Sequence, residues 1–423
     1  MKLFASSAIA LTAVMFGAPA MAQYGYSAAP PPPPSVPQTS PSNQSEQKSD
    51  RRQVKPSSKA LKALSELQTA VKSKDAAAIQ AKLAAAQAVV STNEDRFILA
   101  QLQLQAAADT NDTAAAMSAM DAMLATGVLR PAESLPLLKN LSGLRFNAKQ
   151  YDQAGAALEK RLALDPNDLD AIGLLAETRN AQGRIPDAVA ALQRGIQLQS
   201  AAGKKPDENW LKRAAALAYN AKMANAPELA RQWVAAYPNP TSWRNAIAIY
   251  RNTTHPEIEG ILDLLRLENA TGALTDPNDY ELYATGTAQQ GNYVEGLAVL
   301  NQGAAAKHID PASAQFKDVL AGLKAKPQAT EADLAEAAKT APAASTLIRI
   351  GDRYYGLGNY AKAAETYRAA LAKPGADADV ANLHIGMALA RSGDKAGAAA
   401  ALGKVGGSLA DVAKFWLLYV QGA

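Results

Sequence analysis

The chain has no cysteine and only three histidines among 423 residues. Without thiols there is no disulfide, no cysteine nucleophile, no iron–sulfur cluster and no cysteine zinc site. The histidines, at 255, 308 and 384, are too scattered to suggest a metal centre. Aromatic residues make up only 6% and β-branched runs are scarce, which argues against a sheet-rich fold. Charge of one sign is lacking too, with 43 basic against 39 acidic residues and a net charge of +4. Beyond the first residues, no stretch approaches the roughly 20 apolar residues that span a bilayer. Gly-x-Ser-x-Gly, His-Glu-x-x-His, phosphate-loop and dinucleotide motifs are all missing. Together these absences leave little apparatus for catalysis, so we expect no enzyme, no cofactor and no metal. His255 and His308 fall near prolines in expected turns and His384 in an expected helix; each reads as an exposed or hydrogen-bonded histidine rather than a catalytic one.

Alanine, the best helix former, is what the chain has in abundance, and it points to an all-α fold. Residues 1–22 carry an early Lys2, an apolar stretch from Leu3 to Phe16, and Ala20-Met21-Ala22 before Gln23. This is the layout of a cleaved signal peptide, with the cut between Ala22 and Gln23. The expected location is therefore the bacterial periplasm, or alternatively the medium as a secreted protein. Residues 23–56 are rich in Pro, Ser and Gln, with an unbroken run from Pro30 to Pro34. Such a composition cannot offset ordering entropy, so the segment reads as a disordered, polyproline-II-rich spacer. Its alternative reading is a ligand for an aromatic-lined groove.

Residues 46–75 hold Lys48, Arg51, Arg52, Lys55, Lys59, Lys62, Lys72 and Lys74 against Glu46, Asp50, Glu66 and Asp75. The excess of four positive charges equals that of the whole chain, so the rest is balanced. The junction either is a solvated entry to the first helix or attracts an anionic lipid or polymer over about one Debye length. No aromatic residues interleave with these bases, which disfavours nucleic acid.

The remainder repeats with a period of roughly 34 or 35 residues, the mark of a helical array. Tyr151, Ala154 and Leu158 align with Ile185, Ala188 and Leu192; Gly351, Tyr354, Gly358, Ala363 and Tyr367 align with Gly386, Leu389, Gly393, Ala398 and Leu402. In each unit, apolar or small residues return every three or four positions, a Gly breaks the pattern, and a second helix follows. Gly351 and Ala363 allow two helix axes to approach closely, with Tyr354 and Tyr367 filling the space beside them.

Leu347, Ile350, Gly351, Tyr354, Ala363, Tyr367 and Pro374 resemble the tetratricopeptide repeat, whose pattern is Trp-x-x-Leu-Gly-x-x-Tyr, then Ala-x-x-x-Phe, then Pro. Leu347 stands for the Trp, Ile350 for the Leu and Tyr367 for the Phe. The resemblance is strongest over 137–199, 278–305 and 343–405, within an array at 129–405. Alanine-rich hairpins are expected over 57–128 and a capping helix over 406–423. The resemblance implies a right-handed superhelical solenoid of antiparallel helix pairs, and a groove formed by first helices that takes a partner peptide or helix. Positions matching that groove are Lys139, Phe146, Asn147, Asp170, Glu177, Asn180, Glu281, Gln289, Ile348, Asp352, Tyr355, Met387 and Arg391. The expected role is a non-catalytic protein–protein interaction scaffold in the cell envelope. The alternative is a structural or polysaccharide-associated wall factor acting through the basic junction.

Overall fold

The computed structural model describes residues 54–422. The expected signal peptide, the tail up to residue 53 and the bases Lys48, Arg51 and Arg52 lie outside the described residues. Among the described residues the fold is all-α, without strands. The chain divides into two compact units, Met1–Gln182 and Gly183–Ala423.

The first unit contains α1 (Leu61–Ser73), α2 (Ala76–Val89), α3 (Asn93–Asp109), α4 (Thr113–Ala125), α5 (Pro131–Asn147), α6 (Tyr151–Leu164) and α7 (Leu169–Ala181). Helix starts are set locally. Asp75, Asp112 and Asp168 each accept the backbone N–H three residues on, satisfying a donor that the first turn leaves free. Consecutive helices pack as hairpins around Leu67, Phe97, Leu102, Met120, Leu138 and Leu141. Three carboxylates in this unit bind arginines that are mostly covered: Arg145 pairs with Asp121, Arg179 with Glu159, and Arg161 with Asp168 at 2.5 Å.

Asp95 ties the start of the described chain to α3. Its Oδ1 accepts the Ser57 N–H at 2.7 Å and its Oδ2 the Ser57 hydroxyl at 2.8 Å, with the N–H groups of Ser91 and Thr92 each at 3.2 Å. Burial works to raise the carboxyl pKa, but the bonds from Ser57, Ser91 and Thr92 prevail and hold it down to about 2. A depressed folded pKa contributes stability above the unfolded value near 3.9, and that contribution is lost as pH falls through about 2. Asp95→Asn is expected to cost about 1–2 kcal/mol at pH 7. The deficit should shrink below pH 4, as followed by circular dichroism during urea unfolding.

The second unit contains α8 (Ile185–Ala201), α9 (Glu208–Asn220), α10 (Ala226–Ala236), α11 (Pro240–Thr254), α12 (Ile258–Ala270), α13 (Pro277–Gln289) and α14 (Tyr293–Ala305). It continues with α15 (Ala314–Lys324), α16 (Glu331–Lys339), α17 (Ala344–Gly356), α18 (Tyr360–Leu371), α19 (Ala378–Ser392) and α20 (Lys395–Leu402). A 3₁₀ turn (Gly407–Leu409) and α21 (Ala410–Gly422) complete it. Gly358 (φ 77°) and Gly393 (φ 89°) end α17 and α19 in the left-handed region, as the repeat's turn requires. At Gly351 an added Cβ would lie 2.4 Å from the Tyr367 ring, and at Gly386 it would lie 2.4 Å from Leu402 Cγ. The two aligned glycines thus do the same job, allowing a large side chain of the second helix to press on the backbone of the first. Ala154, Leu158, Ala188, Leu192, Tyr354, Ala363, Tyr367 and Ala398 are all buried, while Tyr151 is half-buried.

Two features of this unit go beyond a row of stacked hairpins. From Leu262 to Glu268 every residue of α12 is buried, so this helix has no solvent face over two turns. Helix α21 packs not only on α19 and α20 but also on α10 and α12, far earlier in sequence. Its Phe415 meets Tyr250 of α11 edge to face at 5.5 Å, and Trp416 Nε1 donates to the Asp263 carbonyl at 3.1 Å.

Candidate functional site

Because α12 has no solvent face from Leu262 to Glu268, the charged residues of that stretch are cut off from water. Asp263, Arg266 and Glu268 are each no more than 3% exposed. Arg266 forms the hub of a buried network. Its Nε and Nη2 donate to the two carboxylate oxygens of Glu295 on α14, both at 2.8 Å, and its Nη1 donates to Asp263 Oδ1 at 2.8 Å. The Glu295 carboxylate also accepts Tyr283 Oη–H at 2.8 Å and Asn292 Nδ2–H at 2.6 Å. Asn292 reaches onward to the Asp352 carbonyl on α17 at 2.8 Å. Asp352 Oδ1 accepts the Tyr367 hydroxyl at 2.7 Å.

His384 of α19 closes the network between two carboxylates. Its Nε2 lies 3.3 Å from Asp263 Oδ2 and its Nδ1 lies 3.2 Å from Asp352 Oδ1, the latter an ion-pair contact off the hydrogen-bond direction. Burial alone would push the imidazole down; Asp263 and Asp352 outweigh it and raise the pKa to about 10. Burial likewise opposes ionisation of Asp352, but His384, Arg266 and the Tyr367 hydroxyl hold its carboxyl below the usual range. Arg266 is held firmly charged by Glu295, Asp352 and Asp263 against its burial. At neutral pH His384 therefore keeps its proton and Asp352 has none. Neither is poised for proton transfer, which needs a pKa near the working pH.

The network forms one wall of a cavity of about 560 Å³. α12 supplies Glu259, Leu262, Asp263 and Arg266; α17 supplies Ala344, Ser345, Ile348, Arg349 and Asp352; α19 supplies Val380, Ala381 and His384. Gln289 at the end of α13, Asp377 before α19, and Leu409 complete much of the rim. Apolar and charged groups thus face a common space, the composition expected of a recognition cavity. Among the described residues no cluster of side chains suits a metal ion, and no helix is long and apolar enough to cross a membrane.

Of the thirteen expected groove positions, the fold brings Gln289, Ile348 and Asp352 to this cavity. Tyr355 and Met387 are buried, at 7% and 1% exposure; Tyr355 packs edge to face on Tyr360 at 5.0 Å. Arg391 donates to the Tyr360 hydroxyl at 2.9 Å. Glu281 is engaged by Gln315 at 2.8 Å. In the first unit, Lys139 and Asp170 pair with each other at 3.2 Å, and Phe146 packs edge to face on Tyr151 at 5.7 Å. Glu177 and Asn180 are half-buried there and Asn147 is exposed. In the basic junction, Lys62 pairs with Glu66 at 4.0 Å and Lys74 with Asp109 at 2.9 Å.

Asp263, Arg266 and His384 are the cavity-lining residues that motif reading passes over. The available signal is compositional. Ile261, Leu262, Leu264, Leu265 and Leu267 cover every face of α12, so the charges between them cannot all reach water. Glu268 follows the same logic without lining the cavity. Burial, reinforced by Asp279 and eased by Arg251 and Arg244, pushes its carboxyl up to about 8. A raised carboxyl pKa costs stability as pH rises from the unfolded value near 4.3 to the folded one. Glu268→Gln is therefore expected to stabilise the second unit by about 2–4 kcal/mol at pH 8.5 and to change little at pH 4. All four tryptophans (210, 233, 243 and 416) lie in this unit, so urea unfolding followed by their fluorescence is the direct check.

Residues 146–202 match the tetratricopeptide repeat family. No curated protein matches the chain. Among solved structures it is similar to a tetratricopeptide repeat protein from Parabacteroides merdae, at 13% identity and TM-score 0.27, over 70% of this chain and 99% of that one. It is also similar to the pentatricopeptide repeat protein PPR10 from maize, at 15% identity and TM-score 0.26, over 82% of this chain and 50% of the maize protein. A tetratricopeptide match suggests a protein–protein interaction scaffold, and repeat proteins of this kind are generally non-catalytic.

Proposed function

We propose that this protein is a non-catalytic scaffold of the cell envelope that recruits another protein through the cavity between α12, α17 and α19. The observation that carries the reading is the cavity itself, large enough to admit several side chains and walled by a locked ionic network. A wall of this kind is preorganised, so a partner meets it without a reordering cost. On the cavity wall His384 and Arg266 keep their protons and Asp352 has none, which suits recognition and not proton transfer. Export follows from the signal-like residues 1–22, and the proline-rich residues 23–56 act as a spacer of at most on the order of 100 Å.

Affinity capture from envelope extracts, with the full chain as bait, tests the proposal. One stoichiometric protein is expected, and it should be lost when Ile348→Trp fills the cavity. Capture of a wall polymer instead, abolished when Arg51, Arg52 and Lys55 are changed to Gln, would overturn the scaffold reading.

A further inference from the structure

The charges around the cavity do not balance, and the imbalance has a direction. Three buried carboxylates, Asp263, Glu295 and Asp352, face two buried cations, Arg266 and His384. Asp263 and Glu295 use both of their oxygens. Asp352 uses only Oδ1, for Tyr367 and His384; among the described residues its Oδ2 has no partner, although the residue is only 6% exposed and forms part of the cavity wall. At the rim, exposed Glu259 has no ion pair among the described residues. Asp377 accepts only the N–H groups of Asp379 and Val380. Against these acidic groups stands one exposed rim cation, Arg349. Leu262, Ile348 and Val380 line the same cavity.

We propose that the cavity takes a lysine or arginine side chain presented by the partner protein, with its methylenes against Leu262, Ile348 and Val380 and its cationic head on Asp352 Oδ2. This rests on the protein-binding reading above and names the chemistry of what enters. The alternatives are disfavoured energetically. A wholly apolar guest would cover Asp352 Oδ2 without giving it a hydrogen bond, and an unmet buried acceptor costs about 1–3 kcal/mol. An acidic guest would meet Glu259, Asp377 and Asp352 together. A basic side chain satisfies the open oxygen by a charge-assisted bond and buries its stem on an apolar wall.

Selection of a randomised dodecapeptide library on the full chain tests the inference. Enrichment of Lys or Arg at one position is expected. Replacing that residue by norleucine or citrulline, which keeps shape but removes charge, should weaken binding about tenfold. Glu259→Gln combined with Asp377→Asn should weaken it severalfold, with Asn still able to cap α19. Arg349→Gln should strengthen it by removing a like charge, and Asp352→Asn should weaken it most. Thermal melts by tryptophan fluorescence establish that each variant is folded. If the chosen peptides lack a basic residue but lose binding in Ile348→Trp, the cation inference fails while the scaffold reading stands. If no peptide is enriched, or Ile348→Trp binds as before, both fail. Equal binding of the citrulline or norleucine peptide also overturns the inference.

Discussion

Removing residues 410–423 is expected to unfold the second unit while sparing the first. Val412, Phe415, Trp416 and Val420 are at most 6% exposed, and their helix packs on α10, α12, α19 and α20 of this unit. Full burial of side chains of this size is worth about 1.5–3 kcal/mol each, so the set contributes on the order of 6–12 kcal/mol. That is comparable with the whole stability of an ordinary domain. Truncation also uncovers α12, whose Asp263 carbonyl loses the Trp416 indole. Polar contacts go with it, since Arg231 Nη1 lies 3.5 Å from Asp411 and the Arg231 guanidinium lies over Phe415 at 5.5 Å. The measurement is urea unfolding followed by fluorescence of the three remaining tryptophans, with circular dichroism for total helix. The expected result is loss of the cooperative fluorescence transition and retention of a helical transition from the first unit. A fluorescence midpoint within about 1 kcal/mol of the full chain would reduce α21 to a peripheral appendage. Phe415→Ala is the milder version, expected to cost about 3–5 kcal/mol.

Arg266→Met is expected to destabilise the second unit by about 3–5 kcal/mol at neutral pH. The substitution preserves most of the volume but leaves Glu295 and Asp263 buried with only His384 to balance them. Most of the cost is the penalty of unpaired buried charge, not the worth of the ion pair, and this makes two further results distinctive. First, lowering the pH should narrow the gap to the parent protein, because protonation relieves the uncompensated carboxylates. Second, adding Glu295→Leu should recover part of the loss, as expected when both members of a buried pair become apolar. Arg266→Lys should not substitute well, because one ammonium cannot reproduce the fork onto both oxygens of Glu295. A loss below 1 kcal/mol for Arg266→Met, with no pH dependence, would mean that water enters the network freely. All of these are read from tryptophan fluorescence, which reports this unit alone.

Much of the fold was legible in the sequence because its determinants are local. Gly358 and Asn359 mark a turn because a left-handed residue and a side-chain N-cap are needed within two positions of each other. Gly351 and Tyr367 lie only a hairpin apart, and their close approach follows from the repeat's own spacing. Part of the cavity was legible for the same reason, since Gln289, Ile348 and Asp352 occupy first-helix positions that the repeat pattern points to.

The charged wall was not legible in this way. His384 touches Asp263 across 121 residues of chain, and Trp416 reaches the same residue across 153. No period or motif links positions so far apart. Their pairing depends on how the helices between them accumulate their packing angles, and each angle is set by side chains that differ from repeat to repeat.

The sequence by itself therefore determined an all-α chain of short hairpins, the places where helices start and stop, and the small residues that let them touch. Each of these is decided within one repeat length by backbone conformation and side-chain size. Only the tertiary structure decided that α21 folds back on α10 and α12, that α12 is enclosed, and that Asp263, Arg266, Glu295, Asp352 and His384 share one buried network. Burial is a property of the assembled helices, and it turns ordinary charged residues into a locked wall by removing the water that would otherwise solvate them.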